Sequence, residues 1–232
     1  MSKQAFAIFR AAKLKQGRGN GSFARSWRHL ENHDIVGLKM HPERAEHNHA
    51  SIHPRVMKNG LKAVLDGIKK KHNEIAPRAL RKDAPIGVEL LFSYSQKDKD
   101  GKPIAFDLQF VEQYEFAMAQ AIKEHLPNFK VLRIDRHCDE ESVHWHVIGT
   151  CIDERGRICI KDTLGSPNNM ARLQTAFAKS FEHLGLRRGI SKTTLAEEEQ
   201  RRHTTKREWL RQQAMSREER QRYHDALFES LE

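Results

Sequence analysis

Apolar residues recur along the chain with two periods, and the switches between them lay out alternating strands and helices. Residues 4–10, QAFAIFR, are short and apolar and predict an opening strand. KLKQGRGNGS (13–22) gathers glycines and cations and predicts a flexible basic loop. Ser22 is placed to cap a short helix that carries Phe23, Trp27 and Leu30 on one face. The stretch 37–54 shows neither period, holds His41, His47, His49 and His53, and predicts a surface loop. Val56, Leu61, Val64, Leu65 and Ile68 then recur at helical spacing over 54–75, with Lys69–Lys71 at the end that suits the helix dipole. A strand follows over 85–95, and Leu108, Val111, Phe116, Met118 and Ile122 mark the apolar face of a helix over 107–125.

Two strands, 129–136 and 143–152, come next, then a short strand over 157–161 after the Glu154-Arg155-Gly156 turn. Met170, Leu173, Phe177, Phe181 and Leu184 predict a helix over 168–184. Beyond Gly189 charge dominates. The pattern therefore predicts a domain over 1–190 and a charged, solvated helical extension over 191–232. The strands at 129–152 are joined too tightly for a parallel crossover, so the predicted class is α+β on an antiparallel sheet.

Composition narrows the function. Of 232 residues 38% are hydrophobic, enough for a core, and no stretch approaches the roughly 20 apolar residues that cross a bilayer. Lys+Arg 41 against Asp+Glu 31 gives a net charge of +10, a field that attracts polyanions, of which nucleic acid is the commonest. Cys138, Cys151 and Cys159 form no CxxC pair, which points to a reducing cytoplasm and to packed thiols rather than disulfides.

The most specific chemistry lies in His137-Cys-Asp139-Glu140-Glu141-Ser-Val-His144-Trp-His146. Alternate residues of a strand share a face, so His144 and His146 point the same way about 7 Å apart, while Trp145 and Val147 turn to the core. With a turn at Asp139–Ser142, His137 on the neighbouring strand aims at the same point. Three imidazoles on a rigid sheet suit a divalent transition metal and leave positions open for a substrate oxygen. Asp139, Glu140 and Glu141 are candidates for a fourth ligand or for orienting the imidazoles. A metal of this kind in a basic protein can hold a phosphate for attack by water or by a side chain.

This motif resembles the metal motif of the Mob/Pre plasmid relaxases (the MOBV group of the HUH endonucleases), with Val143 where the family usually has proline. FAIFRAAKLK with its Gly-rich loop, RALRKDAPIGVELLFS (78–93), and HLGLRRGIS with the later His203 are similar to other stretches of the family. The resemblance implies a five-stranded antiparallel sheet flanked by helices. It further implies metal-dependent (Mn²⁺ or Mg²⁺) nicking and rejoining of one strand at a plasmid transfer origin, single-stranded or hairpin, with relaxosome or coupling proteins as further partners. The family's nucleophile is a histidine three residues before an arginine. His29 is the nearest match, with Asn32 in the arginine's place; a second register puts Arg25 at the nucleophile position and Arg28 as the arginine. Arginine stays protonated and cannot attack, so His29 is the expected nucleophile, with His33 or a lost nucleophile as alternatives. Glu140 joins His29 as a catalytic candidate. Lys13, Lys15, Arg18, Arg25, Arg28, Arg78, Arg81 and Lys82 are the expected DNA contacts. The alternatives are a phosphodiesterase that uses water and a non-catalytic origin-binding protein with a degenerate site.

Overall fold

A six-stranded sheet organises the protein in its computed structural model, which describes residues 5–16, 21–33, 41–98 and 102–189. These all lie in the unit Met1–Gly189; the extension expected over 191–232 falls outside the described residues. The strands are β1 (Ala5–Lys15), β2 (His49–Ile52), β3 (Pro85–Tyr94), β4 (Phe129–His137), β5 (His144–Cys151) and β6 (Leu186–Arg188), in the spatial order β2-β4-β5-β3-β1-β6. Every pairing is antiparallel except that of β6 with β1. The helices are α1 (Phe23–Glu31), α2 (Pro54–Asn59), α3 (Leu61–Ile75), α4 (Leu108–His125), α5 (Ile160–Leu164) and α6 (Pro167–Ser180). The α+β class holds, with one strand more than the five expected.

Local chemistry sets the helix starts. The Ser22 hydroxyl accepts from the Arg25 N–H at 3.3 Å, and the Asp107 carboxylate accepts from the N–H groups of Gln109 and Phe110, satisfying donors that a first helical turn leaves open.

One face of the sheet carries the main core. Phe9, Phe92 and Trp145 lie opposite one another on β1, β3 and β5, and they pack with Tyr114 and Met118 of α4 and Phe177 of α6. Trp145 is fully buried, and its indole N–H finds the Glu115 carboxylate of α4 at 3.1 Å, so the burial leaves no donor stranded. The other face carries a smaller cluster, in which Phe23, Trp27 and Leu30 of α1 cover Leu14 and Ile148. Gly87 permits that close approach, because a Cβ there would lie 2.2 Å from the Phe23 ring.

Five expectations change. The opening strand runs on through Lys15 rather than yielding to a loop at 13, because β3 pairs with it as far as Pro85 and Leu14 is buried against α1. The stretch read as a surface loop includes β2, which completes the sheet by pairing its four residues with β4. The helix over 54–75 is two helices, broken where Gly60 takes φ +76° and ψ 151°. In place of the strand over 157–161 there is a single bridge, Ile152 to Ile158, followed by α5. Phe116, placed on the apolar face of α4, is 69% exposed, whereas Tyr114 and Ala117 face inward.

Candidate metal centre and the helix beside it

The ends of β4 and β5 bring the three expected histidines together. His137 and His144 are direct partners across the hairpin, and Asp135 lies opposite His146, so these side chains share the face away from Trp145. Ring centroids are separated by 5.0 Å (His137–His144), 5.3 Å (His137–His146) and 5.0 Å (His144–His146). One ligand atom from each ring lies within 4.8 Å of the others.

Neighbouring acceptors select the useful tautomers. His144 Nδ1 lies 2.7 Å from the Ser142 carbonyl, which can only accept, so the proton sits on Nδ1 and Nε2 carries the lone pair, which accepts from His137 Nδ1 when no cation is bound. The same tautomer holds for His146, whose Nδ1 donates to the Glu89 carboxylate at 2.7 Å. His144 Nε2 then stands 3.3 Å from His137 Nδ1. Two nitrogens bound to one cation at about 2.1 Å, with the usual bond angles, lie about 3.0–3.4 Å apart. The donor set therefore fits a cation in spacing and in the tautomers of His144 and His146.

Charge is suppressed in the cluster. Burial, followed by the neighbouring histidines His33, His144 and His146, lowers the pKa of His137 to about 2. Burial and His146 lower that of His144. Neutral imidazoles are the form a metal needs. Burial acts to raise the Glu89 pKa, yet the hydrogen bond and charge of His146 leave it lowered, so Glu89 is an anion and a strong acceptor.

Helix α1 runs along this face toward the triad. Phe23 sits over Gly87, Ser26 hydrogen-bonds Glu89 further along β3, and His33, just past the helix end, reaches His137. Trp27 Nε1 donates to Glu31 at 2.7 Å, and the Arg133 guanidinium lies 5.1 Å from the Trp27 ring while gripping Asp135 with two hydrogen bonds of 2.7 Å. This network ties α1 to β4 beside the three histidines.

The expected catalytic residues take different positions. His29 is exposed on α1, near enough to His137 and Glu89 to interact with both electrostatically. His33, the alternative, is buried: its Nε2 lies 3.1 Å from Asp139 and its Nδ1 3.6 Å from Glu140. Asp139 is wholly buried; burial acts to raise its pKa, but hydrogen bonds from Asn48 and His33 leave it lowered. Glu141 is exposed.

Among the expected DNA contacts, Arg25 and Arg28 are exposed on α1, and Arg18 lies outside the described residues. Lys13 and Lys15 do not sit beside the triad. Lys15 is paired with Pro85 at the other end of β3, about 27 Å from the level of His144 at roughly 3.4 Å per residue. The Gln16 side chain there donates to the Arg81 carbonyl, drawing Arg81 to the same end, where Arg78, Arg81 and Lys82 are exposed.

Sequence reasoning missed Glu89 and the Arg133–Asp135 pair. A signal existed for Glu89: it is the one charged residue in PIGVELLFSY, and a carboxylate in an apolar strand needs a partner.

Comparison with known proteins agrees with this architecture. A family model described as plasmid recombination enzyme (Mob_Pre) matches residues 3–211. The fold is similar to solved structures of the MobM relaxase domain (MOBV; Mob_Pre), Mn-bound and in complex with plasmid pMV158 oriT DNA. The form at pH 6.8 is 20% identical, with 91% of this chain and 100% of that chain covered and a TM-score of 0.62. The form at pH 5.5 is also 20% identical, with 90% and 100% covered and a TM-score of 0.65. No curated protein matches the sequence. Among the described residues no helix is long and apolar enough to cross a membrane. With a six-stranded relaxase-type sheet, three histidines gathered on its open face and a family match over most of its length, the chain belongs to the Mob/Pre family of plasmid recombination enzymes.

Proposed function

We propose that the protein is a plasmid mobilisation relaxase, which nicks and rejoins one DNA strand at a transfer origin with a divalent metal held by His137, His144 and His146. The observation that carries this reading is the convergence of the three imidazoles, two of them held by fixed acceptors in the tautomer that leaves the lone pair on Nε2. An all-nitrogen donor set favours Mn²⁺ over Mg²⁺, which prefers oxygen ligands and retained water. The bound cation supplies charge stabilisation at a phosphate oxygen.

The chain's own groups do the rest. His29, exposed on α1 in the neighbourhood of the triad, is the nucleophile in this reading: a neutral imidazole nitrogen needs no base to expose its lone pair. A P–N bond forms to the 5′ phosphate as the P–O3′ bond breaks; the attacking imidazole sheds the proton of its other nitrogen, and the oxygen leaves as a 3′-OH with one proton gained, so the proton count balances. Glu140, at the rim with 22% of its side chain exposed, is the carboxylate placed near that transfer. DNA lies along α1 between Arg25 and Arg28 and the basic end formed by Lys15, Arg78, Arg81 and Lys82, a span of about four nucleotides at roughly 6–7 Å per nucleotide of extended strand. Lys13, paired with Val88, instead shares the sheet face opposite α1. A plasmid-encoded enzyme acting in the cytoplasm, with relaxosome or coupling proteins as further partners, is the setting this reading implies.

The test is incubation of the supercoiled parent plasmid with the full chain and Mn²⁺, followed by denaturing gels and peptide mapping. Relaxed circles with protein attached to the 5′ end, and neither in EDTA, are expected, with His29→Ala removing the adduct. Cleavage without an adduct would instead indicate attack by water. Salt-sensitive binding without cleavage, indifferent to EDTA, would indicate an origin-binding protein.

A further inference from the structure

The three ligand histidines are not held alike. His144 is anchored through Nδ1 by the Ser142 carbonyl and His146 by Glu89. Among the described residues, His137 makes no hydrogen bond outside the triad; its one ring contact of that kind is to His144. A ligand histidine normally donates its second nitrogen to an acceptor that fixes the ring, and the described residues supply no such partner to His137. What lies against His137 instead is His33, with ring centroids 3.6 Å apart and planes 15° from parallel.

We propose that His33 is a positioning residue, which fixes the plane of the His137 ring by stacking and so couples α1 to the metal. This rests on the metal reading above. His33 is itself held: its Nε2 donates to Asp139, a fully buried carboxylate two residues beyond His137 in the same turn. Asp139 is locked in turn, because its own backbone carbonyl accepts from the His41 N–H at 2.8 Å. The chain from β4 to Asp139 to His33 thus returns to the face of His137.

Two other roles for His33 fit the geometry less well. His33, His137 and Glu140 place ligand atoms within 4.8 Å of one another, which suggests a second cation position. Rings stacked nearly parallel keep their in-plane lone pairs in two separate planes, however, and one ion about 2.1 Å from each nitrogen cannot lie in both. A nucleophile must reach phosphorus, whereas His33 Nδ1 is buried and only 8% of the side chain is exposed.

Because His33 directly follows α1, DNA held by Arg25 and Arg28 acts on the same element that braces a metal ligand. Binding of DNA and of Mn²⁺ should therefore favour each other reciprocally. The test is titration of the full chain with Mn²⁺, followed by the electron paramagnetic resonance of free Mn²⁺, with and without single-stranded parent-plasmid DNA in EDTA-stripped buffer. His33→Ala should weaken Mn²⁺ binding by about 10- to 100-fold and remove the enhancement by DNA. His33→Phe, which keeps an aromatic face but loses the Asp139 bond, should recover most of the affinity. Thermal melts in EDTA establish that each variant is folded.

Mn²⁺ affinity of His33→Ala within twofold of the parent, or His33→Phe no better than His33→Ala, would overturn the proposal. Recovery of nicked DNA attached to His33 itself would do the same. If the parent protein takes up no Mn²⁺, or His144→Ala takes it up unchanged, the metal reading fails as well, an outcome distinct from failure at His33 alone.

Discussion

The two faces of one sheet make opposite use of the same strands. On one, Phe9, Phe92, Trp145, Tyr114 and Phe177 interlock as an aromatic core. On the other, beside the smaller apolar cluster under α1, Arg133, Asp135, His137, His33 and Asp139 form a patch that is as deeply buried, yet every one of these five is polar. The first face gains stability from removing apolar area from water. The second bears the cost of burying polar groups, offset by the bidentate Arg133–Asp135 pair and the His33–Asp139 bond. Trp145 stands between His144 and His146 and points the opposite way, so three consecutive residues of β5 serve both faces. A rigid apolar side is what lets the polar side hold three imidazoles in place.

That contrast predicts a division of mutational effects. The largest belongs to the polar face: the double change His144→Ala and His146→Ala should lower nicking by about 10³-fold or more, the loss of several kcal/mol of transition-state stabilisation. Filter binding in EDTA at low salt should change little, and normal nicking by this variant would end the metal reading. On the apolar face, Trp145→Ala should cost about 3–5 kcal/mol of stability, seen as a lower urea midpoint. A small shift there would mean that the core tolerates loss of its largest side chain.

Glu89→Gln should weaken Mn²⁺ by about 10- to 100-fold with little change in the melt of the metal-free protein, since it removes the charged acceptor of His146 and keeps the volume. Unchanged affinity would show that the Glu89 contact does not orient the ligand.

pH separates the faces in the metal-free state. The folded pKa of His137, about 2, lies below its ordinary value of 6.5, and that of His144 is also lowered, so between these limits the unfolded chain binds more protons. The stability tied to these groups is thus fully present above pH 6.5 and declines as pH falls below it. Urea midpoints in EDTA at pH 7.5, 6.0 and 5.0 should decrease in that order, and the decrease should be smaller in a variant with His137→Phe. The smallest effect is expected at Phe116, which is exposed: Phe116→Ser should stay within about 0.5 kcal/mol.

Much of this was legible in the chain. The His137–His146 hairpin was, because strand alternation and a short turn leave three histidines little choice but to converge. The cap at Ser22 and the strand of PIGVELLFSY were legible for the same local reason. Glu89 was not read as a partner, since its acceptor role depends on β3 lying next to β5. Sequence could rank His29 and His33 as nucleophiles but could not tell that one is exposed and the other packed on His137. Lys13 and Lys15 are close to His29 in sequence, yet β1 carries Lys15 to the far end of the sheet and turns Lys13 to the face opposite the triad.

What the sequence determined by itself is whatever follows from neighbours within a few residues: the periods of the elements, the caps, and the presentation of His144 and His146 on one side of a strand. Tertiary structure alone decided the order of the six strands, the parallel docking of the three-residue β6, and the meeting of Glu89, Asp139 and His33 with the triad. The physical reason is separation along the chain. His33 and His137 stack across a hundred intervening residues, and no local propensity encodes such a contact; only the simultaneous packing of α1 and the hairpin on one sheet brings it about.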